Sequence, residues 1–232
     1  MGYSFYEVYI TAQRAFRGMG FPFGADEDAA FIITWLELNN LKGIEVFNNL
    51  INQLDQKYDG TINIENINNA IDFNNQSILM KGSGLIDYML STLDHKKNVT
   101  ITVKNCSNGI LFLPLLYKAS HNIKFSEIIF SNKKNENYIY KVTKDGIFFK
   151  TETKKEIKIN QVKISLNNNL ETSSNNLVKK IITEKIIQQN LSLSLTPQEH
   201  HWDAISSIAN RTFVPESKES RNKGAGGGDA ND

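Results

Sequence analysis

The chain has 232 residues, of which 40% are hydrophobic and 22% are charged, and its formal net charge is +1. This length suits one domain with a buried core, and the balanced charge argues against nucleic acid or an anionic membrane as a partner. The single cysteine, Cys106, excludes an intrachain disulfide and fits a reducing compartment. The sequence shows no secretion signal and no apolar stretch of membrane-spanning length, so we expect a soluble, cytoplasmic protein.

Two helices joined by a glycine-containing turn are predicted at the N-terminus. Apolar residues recur at helical spacing over the first helix, at Phe5, Val8, Tyr9, Ala12 and Phe16. The glycines of residues 17–20 end this helix. The carboxylates of residues 26–28 open a second helix, because they complement the positive end of its dipole. Its continuation, AAFIITWLEL, is apolar on nearly all sides and indicates a central helix.

Two further helices are predicted before residue 95. Gly43 interrupts the apolar pattern, and a third helix follows it with apolar positions at Val46, Phe47, Leu50, Ile51 and Leu54. Residues 61–77 are compatible with a short helix or a loop. A fourth helix is predicted over LIDYMLSTLD. We expect the preceding KGSG to be the loop that starts it, because KGSG lacks the spacing of a nucleotide-binding motif.

From Val99 onward the residues become β-branched and aromatic, which predicts strands over VTITVKN, GILFLPLLY, FSEIIFS, YIYKVT, GIFFKTE and EIKINQVKISL. Connections this short exclude helical crossovers, so we expect an antiparallel meander over at least residues 124–166. The lysines of this region alternate with glutamates and favour a solvated sheet face over a nucleic-acid patch: Lys133, Lys134, Lys141, Lys144, Lys150, Lys154, Lys155, Lys158 and Lys163. Cys106, at a strand end, is predicted to be a buried structural thiol.

The last part of the chain is predicted to return to helix. NLVKKIITEKIIQQ is compatible with a helix or a long strand, and residues 196–199 predict a helix start with a capping box and a proline at the first helical position. We therefore expect one α+β domain over residues 1–212. It is mainly helical over 1–95, antiparallel strands over 99–166, and a strand or helix then a helix over 175–211. Residues 213–232 form a separate glycine-rich segment.

Composition alone favours mobility for this C-terminal segment, which is polar and rich in glycine. Fixing each residue costs about 1 to 2 kcal/mol of backbone entropy. Phe213, Val214 and Pro215 are too few to offset that cost by apolar burial. The segment beyond them is therefore either mobile or held by polar contacts.

Motifs at both ends carry a family resemblance. AQRAFRGMGFPFGADEDAAFIITWL contains Arg-Gly-x-Gly, a further glycine and an acidic pair that opens an apolar helix, and the chain ends in VPESKESRNKGAGGGDAND. Together with GILFLPLLYKAS, these stretches resemble the bacterial domain-of-unknown-function family DUF3726. The resemblance implies a docked C-terminal segment, although Ala230 leaves the terminal acidic cluster one carboxylate short of the family pattern. It implies no particular activity, since the family has no settled function.

The resulting hypothesis places a site where the C-terminal segment folds back on the turn between the first two helices. Two arginines would bind an anion, two serines would hydrogen-bond it, and Glu27 or Asp229 would serve as acid, base or hard-metal ligand. Arg221 can also pair with Glu27, and the glycines allow close approach of the backbone. The candidate residues are Arg17, Gly20, Gly24, Glu27, Ser217, Ser220, Arg221, Gly224, Gly226, Asp229, Asn231 and Asp232.

Two functions stay open at this point. The first is a small-molecule metabolic protein, an enzyme or enzyme subunit, that binds an anionic ligand at this site. The second is a non-catalytic subunit whose C-terminal segment is captured by a partner protein through Asp229, Asn231 and Asp232. The sequence assigns no cofactor and no metal site, because His200 and His201 would need ligands from elsewhere to hold a metal.

Overall fold

The computed structural model describes residues 2–63, 69–131, 137–152, 158, 160–169 and 179–213. Within these ranges the helices are α1 (Phe5–Gly18), α2 (Ala25–Leu38), α3 (Gly43–Leu54), α4 (Ile78–Leu93), α5 (Leu113–Ala119), α6 (Glu184–Leu191) and α7 (Glu199–Ala209). The strands are β1 (Ala70–Asp72), β2 (Asn98–Lys104), β3 (Phe125–Ser131), β4 (Asn137–Thr143), β5 (Gly146–Glu152), β6 (Val162–Asn167) and β7 (Lys179–Ile182). The predicted α+β class is confirmed.

The N-terminal helices form as their sequences predict. Ser4 caps α1, since its hydroxyl accepts from the Glu7 N–H at 3.1 Å while the Glu7 carboxylate accepts from the Ser4 N–H at 2.7 Å. Helix α2 is central, as expected, with both flanks buried against α1, α3 and α4. The rings of Phe16 and Phe47 stack at 4.1 Å and join α1 to α3.

The strands form one mixed sheet in the order β1-β2-β6-β3-β4-β5-β7, in which only the β1/β2 pair is parallel among the described strands. The meander prediction is confirmed for β3, β4 and β5. It is wrong for β6, which lies between β2 and β3. The alternate residues Val162, Ile164 and Leu166 are buried, so this position places β6 at the middle of the core.

Two predictions in the centre of the chain are wrong. GILFLPLLY is a 3-10 turn over Gly109–Phe112 followed by α5, not a strand. This run is apolar on all sides, so its period does not separate strand from helix, and Pro114 fits the first turn of a helix. KGSG lies inside α4 rather than before it, because Ser77 caps that helix and Gly82 packs closely against Leu115.

The structure assigns elements to the two segments whose sequences were compatible with more than one structure. Residues 70–72 form β1 within the stretch expected to be helix or loop. NLVKKIITEKIIQQ contains both β7 and α6, which Thr183 separates by accepting from the Ile186 N–H at 3.1 Å. The predicted capping box before α7 is wrong, since Gln198 is the N-cap. Leu195 is bridged to Tyr3, so the chain stays extended past Thr196.

Helices cover one face of the sheet, where α4, α5 and the 3-10 turn pack on β2, β3, β4 and β6. Lys150 and Lys163 are half-exposed, whereas Lys141 is buried, which corrects the prediction that it is solvated. Among the helices that the structure describes, none is long and apolar enough to cross a membrane. The site residues predicted in the C-terminal segment, from Ser217 onward, lie outside the described ranges.

Candidate functional site

The predicted turn between α1 and α2 is held by a buried ion pair. The Arg17 guanidinium donates to one Asp26 oxygen from Nε at 3.0 Å and from Nη2 at 2.7 Å. The other Asp26 oxygen accepts from the Glu27 backbone N–H at 3.0 Å. Asp26 is fully buried, whereas the Arg17 side chain is 38% exposed and lies 4.4 Å from the ring of Phe23. Arg17 therefore fixes the turn and keeps one side of its guanidinium open to solvent.

Two glycines of the candidate set shape this turn. Gly20 and Gly24 have φ angles of +90° and +86°, which side chains with a Cβ rarely adopt. The end of α3 supports the turn from beside it, because the backbone N–H of Gln56 donates to the Met19 carbonyl at 2.9 Å. The sequence prediction of a tight glycine turn here is thus explained by the backbone conformation.

Glu27, the predicted partner of Arg221, is exposed at the start of α2. Its carboxylate accepts a hydrogen bond from the Gln13 side chain at 3.5 Å. The last described residue, Phe213, lies under the Arg14 guanidinium at 4.9 Å. Arg14 and Arg17 are one helical turn apart on α1, so the C-terminal segment starts beside the predicted site.

A second cluster of ionisable residues lies at the opposite end of α2, around a cavity of about 280 Å³. Glu37 from the last turn of α2, Lys42 and Glu45 from the start of α3, and Gln198 and His201 from the start of α7 line this cavity. We call this set the α2–α7 cavity. The packing of α7 against α1 and α3 brings the first turn of α7 to this cavity.

Glu37 is the most perturbed acid of the α2–α7 cavity. Burial raises the pKa of Glu37, the hydrogen bond from the Ile44 N–H at 2.9 Å opposes that rise, and the negative charge of Glu45 adds to it. His201 has the opposite influence on the pKa of Glu37, which shows that the two side chains interact electrostatically. The carboxyl group also satisfies an N–H at the start of α3, where Lys42 supplies no side-chain cap.

His201 lines the same cavity. Its Nδ1 is buried and has no hydrogen-bond partner among the described residues. The neighbouring His200 ring lies at 3.8 Å between centroids, and His200 itself is exposed. A buried ring nitrogen without a partner costs free energy, which makes His201 an unusual residue of the cavity wall.

The α2–α7 cavity therefore holds two side chains of the kind that proton transfer uses. A carboxyl group with a raised pKa and a histidine are the usual acid and base of such chemistry near neutral pH. Lys42, held in an ion pair with Glu45 at 3.1 Å, adds a positive charge at the rim. In the described ranges, no group of three or more His, Cys, Asp or Glu side chains is arranged to hold a metal ion.

Sequence reasoning missed Glu37 altogether and considered His201 only as a metal ligand. One local signal was present, because a glutamate in the last turn of a helix opposes the helix dipole and needs another reason to be there. No local sequence signal predicts that His201 lies in the same cavity as Glu37, because this position depends on how α7 packs against α1 and α3.

Solved structures share this fold at very low sequence identity. A putative malate/lactate dehydrogenase from E. coli aligns with a TM-score of 0.65 at 8% identity, over 96% of this chain and 98% of that chain. A sulfolactate dehydrogenase from Methanocaldococcus jannaschii aligns with a TM-score of 0.62 at 10% identity, over 90% and 97%. A malate dehydrogenase from Entamoeba histolytica aligns with a TM-score of 0.65 at 8% identity, over 93% and 99%. These likenesses establish the fold.

No curated protein matches the sequence. The family comparison covers α1, α2, α3 and the start of α4, which include the Arg17 turn, Glu37 and Lys42. Residues 3–82 match the family described as Protein of unknown function (DUF3726), which confirms the resemblance that the N-terminal motif indicated.

Proposed function

We propose that this protein acts on a small anionic metabolite, as an enzyme or enzyme subunit, with the α2–α7 cavity as its reaction site. The observation that carries the proposal is that Glu37, whose pKa is raised by burial, and His201 line the same cavity. Either group can exchange a proton with a bound ligand.

The substrate class follows from the cavity and from the fold. A volume of about 280 Å³ suits a small metabolite, and Lys42 provides a cation at its rim for a carboxylate. Solved proteins of this fold are named for malate, lactate and sulfolactate. These names support small hydroxy acids as the first ligands to test.

A binding titration tests this proposal without an activity assay. Malate, lactate and sulfolactate are titrated into the protein while the imidazole resonances of His200 and His201 are followed by NMR. We expect the His201 signals to shift and those of His200 to move less. Binding should tighten as the pH falls through the raised pKa of Glu37, because protonation removes a negative charge beside the anion.

Glu37→Gln should remove most of this pH dependence, and His201→Gln should weaken binding about tenfold, the change produced by about 1.4 kcal/mol. His200→Gln is the matched control, since it removes an exposed neighbour from the same helix turn. If all three acids leave the His201 resonances unchanged at millimolar concentration, these ligands do not enter the cavity and the proposal fails.

The site predicted at the Arg17 turn remains a second candidate. The contact between Phe213 and Arg14 favours it, because it starts the C-terminal segment one helical turn from Arg17. In this proposal Arg17 and Arg221 share an anionic ligand, with Glu27 as the acidic partner. Hydrogen exchange tests it: amides of residues 214–232 should exchange more slowly than a random coil, and random-coil rates with cell-extract metabolites present would contradict it.

The alternative of a non-catalytic subunit depends on the same C-terminal segment. It proposes that a partner protein captures Asp229, Asn231 and Asp232 together with the terminal carboxylate. Purification of the native complex, with and without residues 224–232, separates the two cases. Loss of a stoichiometric partner on truncation would favour capture, whereas an unchanged complex would contradict it.

A further inference from the structure

Another cavity of the described chain lies away from both candidate sites, at one end of the sheet. Its volume is about 630 Å³. The loop between α5 and β3 forms one wall, the β4–β5 turn forms another, and the residues that follow β6 form the third. We call it the sheet-end cavity. Cavities of this size commonly hold small organic ligands.

Three lysines, Lys124, Lys141 and Lys144, are among the twelve described residues that line the sheet-end cavity, and Asp145 is the one acid among those twelve. The lysines come from two separate segments, the loop between α5 and β3 and the end of β4 with the turn that follows it, so the fold brings their charges together. A concave surface of one charge sign concentrates ligands of the opposite sign.

Lys141 distinguishes this cavity from an ordinary basic surface. The residue is only 9% exposed, and its Nζ lies 4.5 Å from the centroid of the Phe125 ring. Burial lowers the pKa of Lys141, while Glu127, opposite it in the β3/β4 register, raises that pKa. An ammonium group with little water around it interacts more strongly with an anion than an exposed one does.

The rest of the lining can hold the organic part of a ligand. Ile123 and Phe125 give apolar contact, and the side-chain amides of Asn122, Asn168 and Asn169 offer both donors and acceptors. The combination of clustered point charges with an apolar and amide wall suits a phosphate group attached to a polar ring system. Lysine ammonium groups bind phosphate as compact charges.

We propose that the sheet-end cavity binds a phosphate monoester of about nucleotide size, with Lys124, Lys141 and Lys144 on the phosphate and Phe125 against the organic part. This site is independent of the α2–α7 cavity, from which no residue lines it. The protein would then carry a phosphorylated ligand at the sheet end besides the metabolite that we propose for the other cavity.

Calorimetric titration with AMP, adenosine and inorganic phosphate tests this proposal. We expect AMP to bind most tightly, inorganic phosphate more weakly and adenosine weakest. AMP binding should weaken as the salt concentration rises from about 50 to about 200 mM, because salt screens the attraction between the lysines and the phosphate. Failure of AMP to bind at millimolar concentration would overturn the proposal. Adenosine binding as tightly as AMP would overturn it as well.

Variants locate the site. Lys141→Met retains the aliphatic stem against Phe125 but removes the charge, and it should weaken AMP binding about tenfold. Lys124→Gln and Lys144→Gln, at more exposed positions, should each weaken AMP binding about threefold, and they keep the test valid if Lys141→Met fails to fold.

Two control variants should leave AMP affinity unchanged. They are Lys104→Gln, at an exposed lysine outside the cavity, and His201→Gln. Unchanged affinity in all three cavity variants would contradict the assignment.

Discussion

At the scale of single residues, Asp26 shows how a local signal can be correct for an incomplete reason. The acidic opening of α2 was expected to complement the helix dipole, and α2 does begin at Ala25. Asp26 is nevertheless fully buried and accepts two hydrogen bonds from Arg17. Its main role is thus to join α1 to α2, which no dipole argument reveals.

We expect Asp26→Asn to lower the free energy of unfolding by about 1.5–3 kcal/mol, because it removes a charged acceptor from a buried pair. Asp28→Asn is the matched control. Asp28 lies in the same first turn but is partly exposed, so only a few tenths of a kcal/mol of dipole interaction should be lost. Urea unfolding of both variants measures the change in the free energy of unfolding. Equal decreases for Asp26→Asn and Asp28→Asn would contradict a special role for Asp26.

Cys106 should react slowly with a thiol reagent in the native state. It is 2% exposed, and burial raises its pKa to about 12 from an ordinary 9.0, so the reactive thiolate is scarce at neutral pH. Labelling at pH 8, followed by mass spectrometry with and without urea, measures the protection. Rapid stoichiometric labelling without urea would reopen the possibility of a nucleophile.

The same thiol makes stability depend on pH. The pKa of Cys106 is about 12 in the folded protein and 9.0 in the unfolded chain, so the folded protein keeps the thiol proton to a higher pH. The stability that this thiol contributes is therefore complete below pH 9.0 and declines as the pH rises through that window. Cys106→Ala should show a smaller loss of stability between these pH values.

At the scale of elements, Gly43 was expected to interrupt the apolar pattern ahead of the third helix, and it is the first residue of α3. A Cβ at this position would collide with the Ile33 carbonyl oxygen and lie 2.8 Å from the Glu37 nitrogen. The glycine thus allows the start of α3 to touch the backbone of α2, which also brings the Ile44 N–H to Glu37. The sequence shows that residue 43 is glycine, but it does not show the backbone contact with α2 that requires a glycine there.

Gly43→Ala should destabilise the protein by about 2 kcal/mol or more, because the clash involves backbone that cannot rotate away. Gly24→Ala gives a comparison, since nothing lies within 4 Å of its added Cβ and the cost is only the strain of φ +86°. That strain amounts to about 1 kcal/mol. Thermal unfolding ranks the two variants, and a larger loss for Gly24→Ala would contradict this packing.

The elements that sequence predicts well are those whose period is clear. Helix α1 alternates apolar and polar positions at helical spacing, and β3, β4 and β5 are separated by turn residues. The run that became α5 lacks a polar face, and β1 spans only three residues, so neither offers a period to detect. The position of β6 depends on pairing with strands distant in sequence.

The candidate sites also differ in how far the sequence predicts them, since one is built from neighbouring residues and the others from distant segments. Arg17, Gly20, Gly24 and Glu27 meet at one turn, as the motif indicated, because they are neighbours in sequence. The α2–α7 and sheet-end cavities each collect side chains from three separate segments. The sequence alone therefore does not predict which side chains share each cavity, because this depends on how the helices and the sheet pack.

At the scale of the whole molecule, deletion of Gly224–Asp232 should leave folding intact. The described core is complete without these residues, and the contact of Phe213 with Arg14 is retained. We expect the free energy of unfolding to change by less than about 0.5 kcal/mol. Differential scanning calorimetry measures it, and a large decrease in melting temperature would show that the segment contributes to the core.

The packing of α1 against α7 joins the two ends of the described chain. Helix α2 covers part of the apolar face of α1 soon after synthesis, whereas the part that contacts α7 stays uncovered until α7 has been made. At roughly 5–20 residues per second, the chain between α1 and α7 takes on the order of ten to forty seconds to synthesise. The sheet is delayed too, since β2 and β3 meet only through β6. We therefore expect the α1–α7 contact and the pairing of β6 with β2 and β3 to form late, after the N-terminal helices have packed together.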